Sequence, residues 1–273
     1  MLINNFICDS KGMKLKKINP FTNGTRHQLN IKKNILLKYN HIIKSLKKGY
    51  TLSNGRSTFT GHITCRHKGS GCKKNYYRLT NDYYNGLVIS TSYNALKSSF
   101  LNLNFDLKKK FFFYSTAIKN VLPGNLIAFN KKNVYNLNQG TSLKLKLLPV
   151  GTIISLIRIN NKIIFIKAAG TYGQIIEKKK SFSKIRLPSG KIITISNNNV
   201  VTVGIVSNST HSLISCGKAG RNRHRNRRPT VRGIAMNPVD HPHGGRTNGG
   251  CVSMTPWGIP TKGKKTVLFK NYE

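Results

Sequence analysis

The chain has 273 residues, of which 47 are Lys or Arg and 6 are Asp or Glu, for a formal net charge of +41. A chain with so few compensating acids repels itself unless a polyanion supplies the counter-charge, which points to nucleic acid as the partner. It carries no apolar run long enough to span a bilayer and no dominant amphipathic helix to lie on one. Five scattered cysteines, an odd number, argue against a secreted disulfide framework.

The hydrophobic fraction of 38% is low for one large core and suits two small cores with basic extensions. The N-terminus, MLINNFICDSKGMKLKK, has its apolar patch and lysines in the wrong order for a secretory signal. It also lacks the Arg-rich amphipathic character of a transit peptide, so no import segment is expected. Residues 1–28 show no clear period and read as an extended arm, with Pro20, Gly24, Arg26 and His27 exposed. The apolar spacing of Ile31, Ile35, Leu36, Ile42, Ile43 and Leu46 predicts a short helix with lysines on its other face.

Residues 53–74 combine Arg56, Arg66, His67, Lys68, Lys73 and Lys74 with four glycines, a composition that brings backbone and cations close to sugars and phosphates. The pattern then changes to period two. Leu101, Leu103, Phe105 and Leu107 alternate with Asn102, Asn104, Asp106 and Lys108, which predicts a strand with one buried and one wet face. Short apolar runs at 76–79, 86–89, 111–114 and 126–129 bring the block to five strands, enough for a small barrel whose aromatics are core or base-stacking platforms. A second strand block covers Leu143 to Ser207. Asn160-Asn161 and Pro188-Ser189-Gly190 are its hairpin turns, joining 153–159 to 162–166 and 185–187 to 191–195, and Val200 to Val206 closes the set.

The stretch from Gly217 to Trp257 organises the rest. Arg221, Arg223, Arg225, Arg227, Arg228 and Arg232 stand close together without a carboxylate among them, and each guanidinium is a planar fork matched to phosphate oxygens. Beyond them, Pro238, Pro242, Pro256 and Pro260 with Gly244, Gly245, Gly249 and Gly250 break helix and strand alike. Ile234, Met236, Val239 and Trp257 argue that this segment becomes ordered against RNA rather than being a solvated tail.

Two constellations suggest other chemistry. Cys65, His67 and Cys72 carry zinc-ligand types, but no CxxC pair completes a tetrahedron, so no metal site is expected. Asp240, His241 and His243 suggest a carboxylate-oriented base. No nucleophile elbow, phosphate-binding glycine loop or acidic metal cluster accompanies them, so a His-dependent hydrolase or nuclease is the lesser alternative.

The string RRPTVRGIAMNPVDHPHGG, followed by TPWGIPTKGKKT, resembles the signature of the universal large-subunit ribosomal protein two family of bacterial type. NGRSTFTGHITCRHKGSG is similar to that family's N-terminal RNA-binding segment, and LPVGTIISLI, AAGTYGQII and LPSGK to its barrel segments, in order from about Pro20 to Thr266. Asn81 to Leu107 matches weakly. His224 stands where the family often has Trp, and the tail VLFKNYE lacks the family's basic ending.

The resemblance implies a mostly β protein, an oligonucleotide-binding-type barrel followed by an SH3-like barrel, with long irregular basic extensions at both ends. The corresponding segments are 1–74, 75–135, 136–210 and 211–273. It further implies a ribosomal structural protein, not an enzyme, that binds large-subunit ribosomal RNA near the peptidyl-transferase centre and supports subunit association. Expected partners are that RNA, neighbouring ribosomal proteins and the small subunit, with no membrane, small-molecule substrate or cofactor beyond magnesium ions of the RNA. The RNA-binding set is then Arg56, Arg66, His67, Lys68, Lys73, Arg221, Arg223, His224, Arg225, Arg227, Arg228, Arg232, Asn237, Asp240, His241, His243, Arg246, Trp257, Lys262, Lys264 and Lys265. A ribosome-independent RNA-binding or assembly factor is the alternative. Heavy use of Asn, Lys and Ile indicates an AT-rich gene, and with the bacterial-type signature it points to a mitochondrial ribosome first, then to a plastid ribosome or a bacterial cytoplasm.

Overall fold

The computed structural model describes residues 6–8, 14–31, 43–69, 71–80, 85–128, 137–160, 162–246 and 251–263. Contacts divide the chain into two units. The larger takes in the described residues of Met1–Thr51 and Lys73–Lys218, the smaller those of Leu52–Cys72 and Ala219–Lys270.

In the larger unit the N-terminal segment is not a free arm. Strands β1 (Phe6–Cys8), β2 (Lys14–Lys17) and β3 (Leu29–Ile31) form an antiparallel sheet, and Leu15 is buried on it. Alternation is too short there to stand out in the sequence, whereas pairing satisfies the backbone groups. Leu29 and Ser215 exchange both backbone hydrogen bonds at 3.2 Å, tying this sheet to the segment after the second barrel. The exposed turn read at Pro20 to His27 is present, closed by the Thr22 and Thr25 hydroxyls. Of the helix expected from Ile31 to Leu46, residues 32–42 lie outside the described residues. Its described ends are β3 and a one-turn 3-10 helix, Lys44–Leu46.

The first β block contains a strand at each of the five runs expected, residue 129 lying outside the described residues, and adds β4, which the sequence reading did not single out. Strand β4 (Lys47–Tyr50) pairs with β5 (Lys74–Tyr77) as a ribbon, while β6 (Gly86–Ser92), β7 (Leu101–Asp106), β8 (Phe111–Thr116) and β9 (Leu126–Ile127) form a sheet ordered β8-β7-β6-β9. A parallel bridge from Leu79 to Tyr114 joins ribbon to sheet. One sheet face buries Leu101, Leu103 and Tyr114 against Tyr77, with Leu46 and Leu79 beside them.

The opposite face is where the strand reading fails. Asn102, Asn104 and Asp106 are buried, not wet, and Leu107 is 60% exposed. That face carries Val88, which packs with Ile118, Val121, Leu156 and Val206, the last two from the second barrel. A sheet covered on both sides favours hydrogen bonds for its polar residues, and here they are met in part, since Asn102 Nδ2 and Asn104 Oδ1 have no partner among the described residues. Thr91 Oγ1 donates to Asn102 Oδ1 at 2.9 Å, and Asn104 Nδ2 donates to Ser115 Oγ at 2.8 Å. Asp106 Oδ1 accepts the Lys108 and Lys109 amides, closing the turn in which Leu107 sits.

The second barrel has β10 (Ser142–Lys144), β11 (Ile153–Ile159), β12 (Lys162–Phe165), β13 (Gly173–Lys178), β14 (Phe182–Arg186), β15 (Ile192–Ser196) and β16 (Val200–Val203). They are ordered β10-β16-β11-β13-β14-β15 with β12 on β11. Both hairpin turns fall as read. Asn160 has φ +49°, and at the other turn Leu187 and Lys191 are bridged at 2.8 Å with Gly190 at φ +85°. Strand β13, which the periodicity did not single out, is central to the sheet.

Strand β11 serves two cores. Ile154, Ile157 and Ile159 lie in the barrel interior with Leu143, Ile175, Ile185 and Ile195, but Leu156 belongs to the cluster shared with the first sheet. A bulge makes this possible: Leu156 takes φ +49° and its amide donates to Ile166, itself at φ +55°. Left-handed backbone at an apolar residue costs about 1–3 kcal/mol, which burial of the leucine offsets at about the same magnitude. The whole is a mostly β fold, an oligonucleotide-binding-type half-barrel joined to an SH3-like barrel.

Leu103 and Leu107 occupy equivalent positions in the sequence pattern and opposite environments in the fold. Leu103→Ala is expected to lower the unfolding free energy by about 2–5 kcal/mol and Leu107→Ala by less than about 0.5 kcal/mol in urea titrations. Burial raises the Tyr114 hydroxyl above its usual value of 10.0, and Tyr77 is raised by burial too. A raised acid contributes stability that is full below the unfolded value and falls as pH climbs toward the folded one. Stability should therefore decline above pH 10, and less steeply in Tyr114→Phe.

Candidate nucleic-acid interface

The smaller unit is assembled from two segments far apart in sequence. The first, within Leu52–Cys72, folds on Gly55, which sits at φ +75° and accepts the Thr64 and Cys65 amides at 2.9 and 3.0 Å. A Cβ there would lie 2.3 Å from the Cys65 carbonyl oxygen, so glycine is required by space as well as by conformation. Arg56 pairs with Ile63, and its guanidinium donates to the Gly61 carbonyl at 3.0 Å, which aims it along its own loop.

The second segment begins with a six-residue helix, α1 (Ala219–His224). Asn226 at φ +73° ends it, and from there the chain runs along the first segment. Gly69 N–H donates to Asn226 Oδ1 at 2.8 Å, Arg228 N–H to the His67 carbonyl at 3.0 Å, and Cys72 N–H to the His224 carbonyl at 3.3 Å. Lys68 bridges Arg227, and His67 Nδ1 lies 3.1 Å from the Pro229 carbonyl. The fit is so close that a Cβ on Gly71 would meet the His224 carbonyl oxygen at 2.7 Å, and one on Gly69 the Arg228 stem at 2.9 Å.

This interlock places cations from both segments on one body. Arg66, Lys68, Arg223, His224, Arg225, Arg227, Arg228 and Arg232 are exposed, and Arg221 is half-buried. Asp240 is the sole carboxylate in the stretches 52–72 and 219–270. In the second barrel Glu177 pairs with Lys179 and Lys184, and the Lys184 hydrogen bond holds its carboxyl below the usual value. Arg66 stands over the Trp257 ring at 5.3 Å, and the ring is 72% exposed.

The Pro- and Gly-rich loop is ordered around its own histidines. His241 is 8% exposed and lies on Gly233, where a Cβ would come within 2.7 Å of the ring. Its Nδ1 accepts the His243 amide at 3.1 Å, and the two rings are 4.7 Å apart. His243 Nε2 lies 2.9 Å from the Val252 carbonyl and 3.1 Å from the Met254 amide, donating to the first when protonated and accepting from the second when not. Asn237 supplies its carbonyl to the Asp240 and His241 amides, while the Asp240 side chain is exposed. Arg246 donates to Cys251 Sγ at 2.8 Å. Val239 and Ile234 are exposed rather than packed inside.

Of the remaining predicted residues, Lys262 is exposed, and Lys264 and Lys265 lie outside the described residues. Lys73 is exposed and belongs to the larger unit, its stem lying across Gly49. Cys65, His67 and Cys72 do not converge. His67 turns to Pro229, Cys72 Sγ lies 2.9 Å from His224 Nδ1, and no three His, Cys, Asp or Glu among the described residues are placed to hold a metal. Sequence reasoning missed the joining residues Gly69, Gly71, Cys72 and Asn226. Their signal was present in the glycine content of 53–74, but nothing in a linear pattern names the partner strand.

Two small barrels together with an interlocked, nearly carboxylate-free basic surface define a protein of the nucleic-acid-binding class. Residues 138–258 match the family described as Ribosomal Proteins L2, C-terminal domain. The Large ribosomal subunit protein uL2 of Wolbachia pipientis wMel is 38% identical over 262 residues, 93% of this chain and 94% of that protein. The protein uL2m of Reclinomonas americana is 38% identical over 272 residues, covering 95% and 96%. The uL2 of Orientia tsutsugamushi (strain Ikeda) is 40% identical over 267 residues, covering 93% and 94%. The chain belongs to the ribosomal protein L2 (uL2) family of the large subunit.

Gly71→Ala tests the interlock, because it meets both a left-handed φ of +66° and the His224 carbonyl. Hydrogen exchange at the Cys72 and Arg228 amides should accelerate by at least about tenfold, the equivalent of about 1.4 kcal/mol. Gly61→Ala, at φ +69° but in open space, should leave those amides protected.

Proposed function

We propose that the chain is a structural constituent of a large ribosomal subunit that binds large-subunit ribosomal RNA near the peptidyl-transferase centre and supports association with the small subunit. The observation that carries this reading is the interlock of Arg66 to Gly71 with His224 to Pro229, which holds two basic segments in one body with a single carboxylate nearby. RNA phosphates supply the missing counter-charge, and the planar guanidinium forks of Arg223, Arg227 and Arg228 match phosphate oxygens in pairs. Arg66 and Trp257 offer a broad cationic stacking surface suited to an unpaired base.

His241 and its loop act as structure rather than as catalyst in this reading. The imidazole is committed at Nδ1 to the His243 amide and lies flat on Gly233, while Asp240 points to solvent instead of orienting it. Bond-making chemistry belongs to the RNA, whose magnesium ions are the ions expected at the contact. The ribosome proposed is mitochondrial, supported by the AT-biased residue usage and by the likeness to a uL2m protein. A plastid or bacterial ribosome is the alternative compartment.

Crosslinking of RNA to the protein in cells, followed by sequencing, tests the reading. Wild type should crosslink to large-subunit ribosomal RNA of the organelle, and a variant with Ala at Arg221, Arg223, Arg225, Arg227 and Arg228 should lose those crosslinks. Crosslinks spread over messenger or transfer RNA would favour the general RNA-binding or assembly factor. In vitro, each phosphate contact removed should reduce the slope of log K against log salt by about 0.7–0.9.

A further inference from the structure

The outer face of strands β13, β14 and β15 departs from the charge pattern of the rest of the chain. The register sets Ile153, Gln174, Arg186 and Ile192 side by side across β11, β13, β14 and β15, on the side opposite the buried Ile175, Ile185 and Ile193. Ile153 and Ile192 are 41% and 53% exposed, and Ile176 and Phe182 are exposed as well. In the next row Glu177 stands opposite Lys184, whose Nζ lies 2.6 Å from its carboxylate, and Lys179 lies 3.6 Å from the same group and 5.5 Å over the Phe182 ring. Both lysines are thus committed, and Arg186 is left as the exposed cation of its row, without a carboxylate among the described residues. Beside Arg186 opens a groove of about 350 Å³, walled by Tyr172, Gln174, Leu187, Pro188 and Gly190, with the Tyr172 ring half exposed.

Four strands spaced at about 4.8 Å make the row about 14 Å long, the reach of about four extended residues. A polynucleotide gains affinity by releasing counter-ions from several phosphates at once, and a row with one uncompensated cation gives it little. Exposed isoleucines, an aromatic ring and a proline around a single guanidinium have instead the composition of a protein contact, where apolar groups are buried around an arginine. We propose that this face docks an extended segment of a neighbouring protein, apolar where it covers Ile153 and Ile192 and carrying a carboxylate that enters the groove onto Arg186. A second copy of this chain is a poor occupant, because only 6 of its residues are acidic and a charge of +41 repels its like. The inference rests on the large-subunit reading for where the partner is met, and it uses none of the residues assigned to RNA.

The test is photocrosslinking from the groove wall. The full chain, with p-benzoylphenylalanine in place of Tyr172, is expressed in its own cells, and large subunits are isolated and irradiated. Adducts are then digested with ribonuclease and read by mass spectrometry. The expected adduct survives ribonuclease and maps to a segment of another protein that contains Asp or Glu. Arg186→Glu should cut its yield by about tenfold or more, and Arg186→Lys, which keeps the charge, should cut it less. Changing the mapped carboxylate to Lys should restore the yield in Arg186→Glu. Sedimentation of each variant with large subunits shows that it is folded and assembled. Adducts to RNA alone, adducts to a second copy of the chain, no adduct, or a yield indifferent to the charge at residue 186 each overturn the proposal. Absence of the chain from large subunits would sink the ribosomal reading instead, and the same charge exchange, read on the fraction that holds the chain, would still decide the groove.

Discussion

Uncompensated positive charge is the constraint to which the rest of the molecule answers. With 47 Lys and Arg against 6 Asp and Glu, most cations must do without an acidic neighbour. Two like charges 4 Å apart in water repel by about 1 kcal/mol, and much more where water is excluded. The fold meets this by keeping its cores free of charge. The second barrel's interior is Leu, Ile and Val and the first core adds Tyr77 and Tyr114, the polar residues buried between the barrels are neutral amides and hydroxyls, and Asp106, the one buried carboxylate among the described residues, is spent on backbone amides. Cations are left on the surface, where a polyanion can reach them.

Concentrating cations in the smaller unit demands a frame that does not rely on a hydrophobic core. Backbone hydrogen bonds and glycine do that work. Gly55 lets the Cys65 carbonyl of its own segment approach, Gly69 makes room for the Arg228 stem, Gly71 lies against the His224 carbonyl and the Asn226 amide, and Asn226 both ends α1 and caps the Gly69 amide. Such a frame engages the Arg56 and Arg246 guanidinium groups and the His67 and His224 rings, while Arg66, Arg223, Arg225, Arg227, Arg228 and Arg232 are exposed. His241 and His243 serve the next loop in the same way, their ring nitrogens taking up backbone groups that a proline-rich segment cannot pair by itself. Burial of His241 therefore follows from loop construction and needs no catalytic explanation.

Strand β11 shows how one irregularity joins two domains. A regular strand alternates between faces of one sheet, yet here Ile154 and Ile157 fill the barrel while Leu156 reaches the first block. The left-handed turn at Leu156 is compatible with stability because the residue gains a buried position and its amide a partner in Ile166. The same junction buries Asn102 and Asn104, which alternation alone would assign to solvent.

The sequence by itself determined the partner class, the mostly β character, two hairpin turns of the second barrel and the two basic stretches, because charge, period two and turn-forming residues act over a few neighbours. It also carried the family, through the string from Arg227 to Gly245. It could not give the strands of the N-terminal segment, the place of β13, the fate of Leu107 or the burial of Asn102 and Asn104. These depend on what covers a face, and the covering residues lie far away in the chain. Nor could it say that Gly69 and Gly71 meet His224 and Asn226, since a glycine permits close approach without naming what approaches. Local chemistry was legible in the residues; the joining of remote segments into one surface was settled only when tertiary hydrogen bonds brought them together.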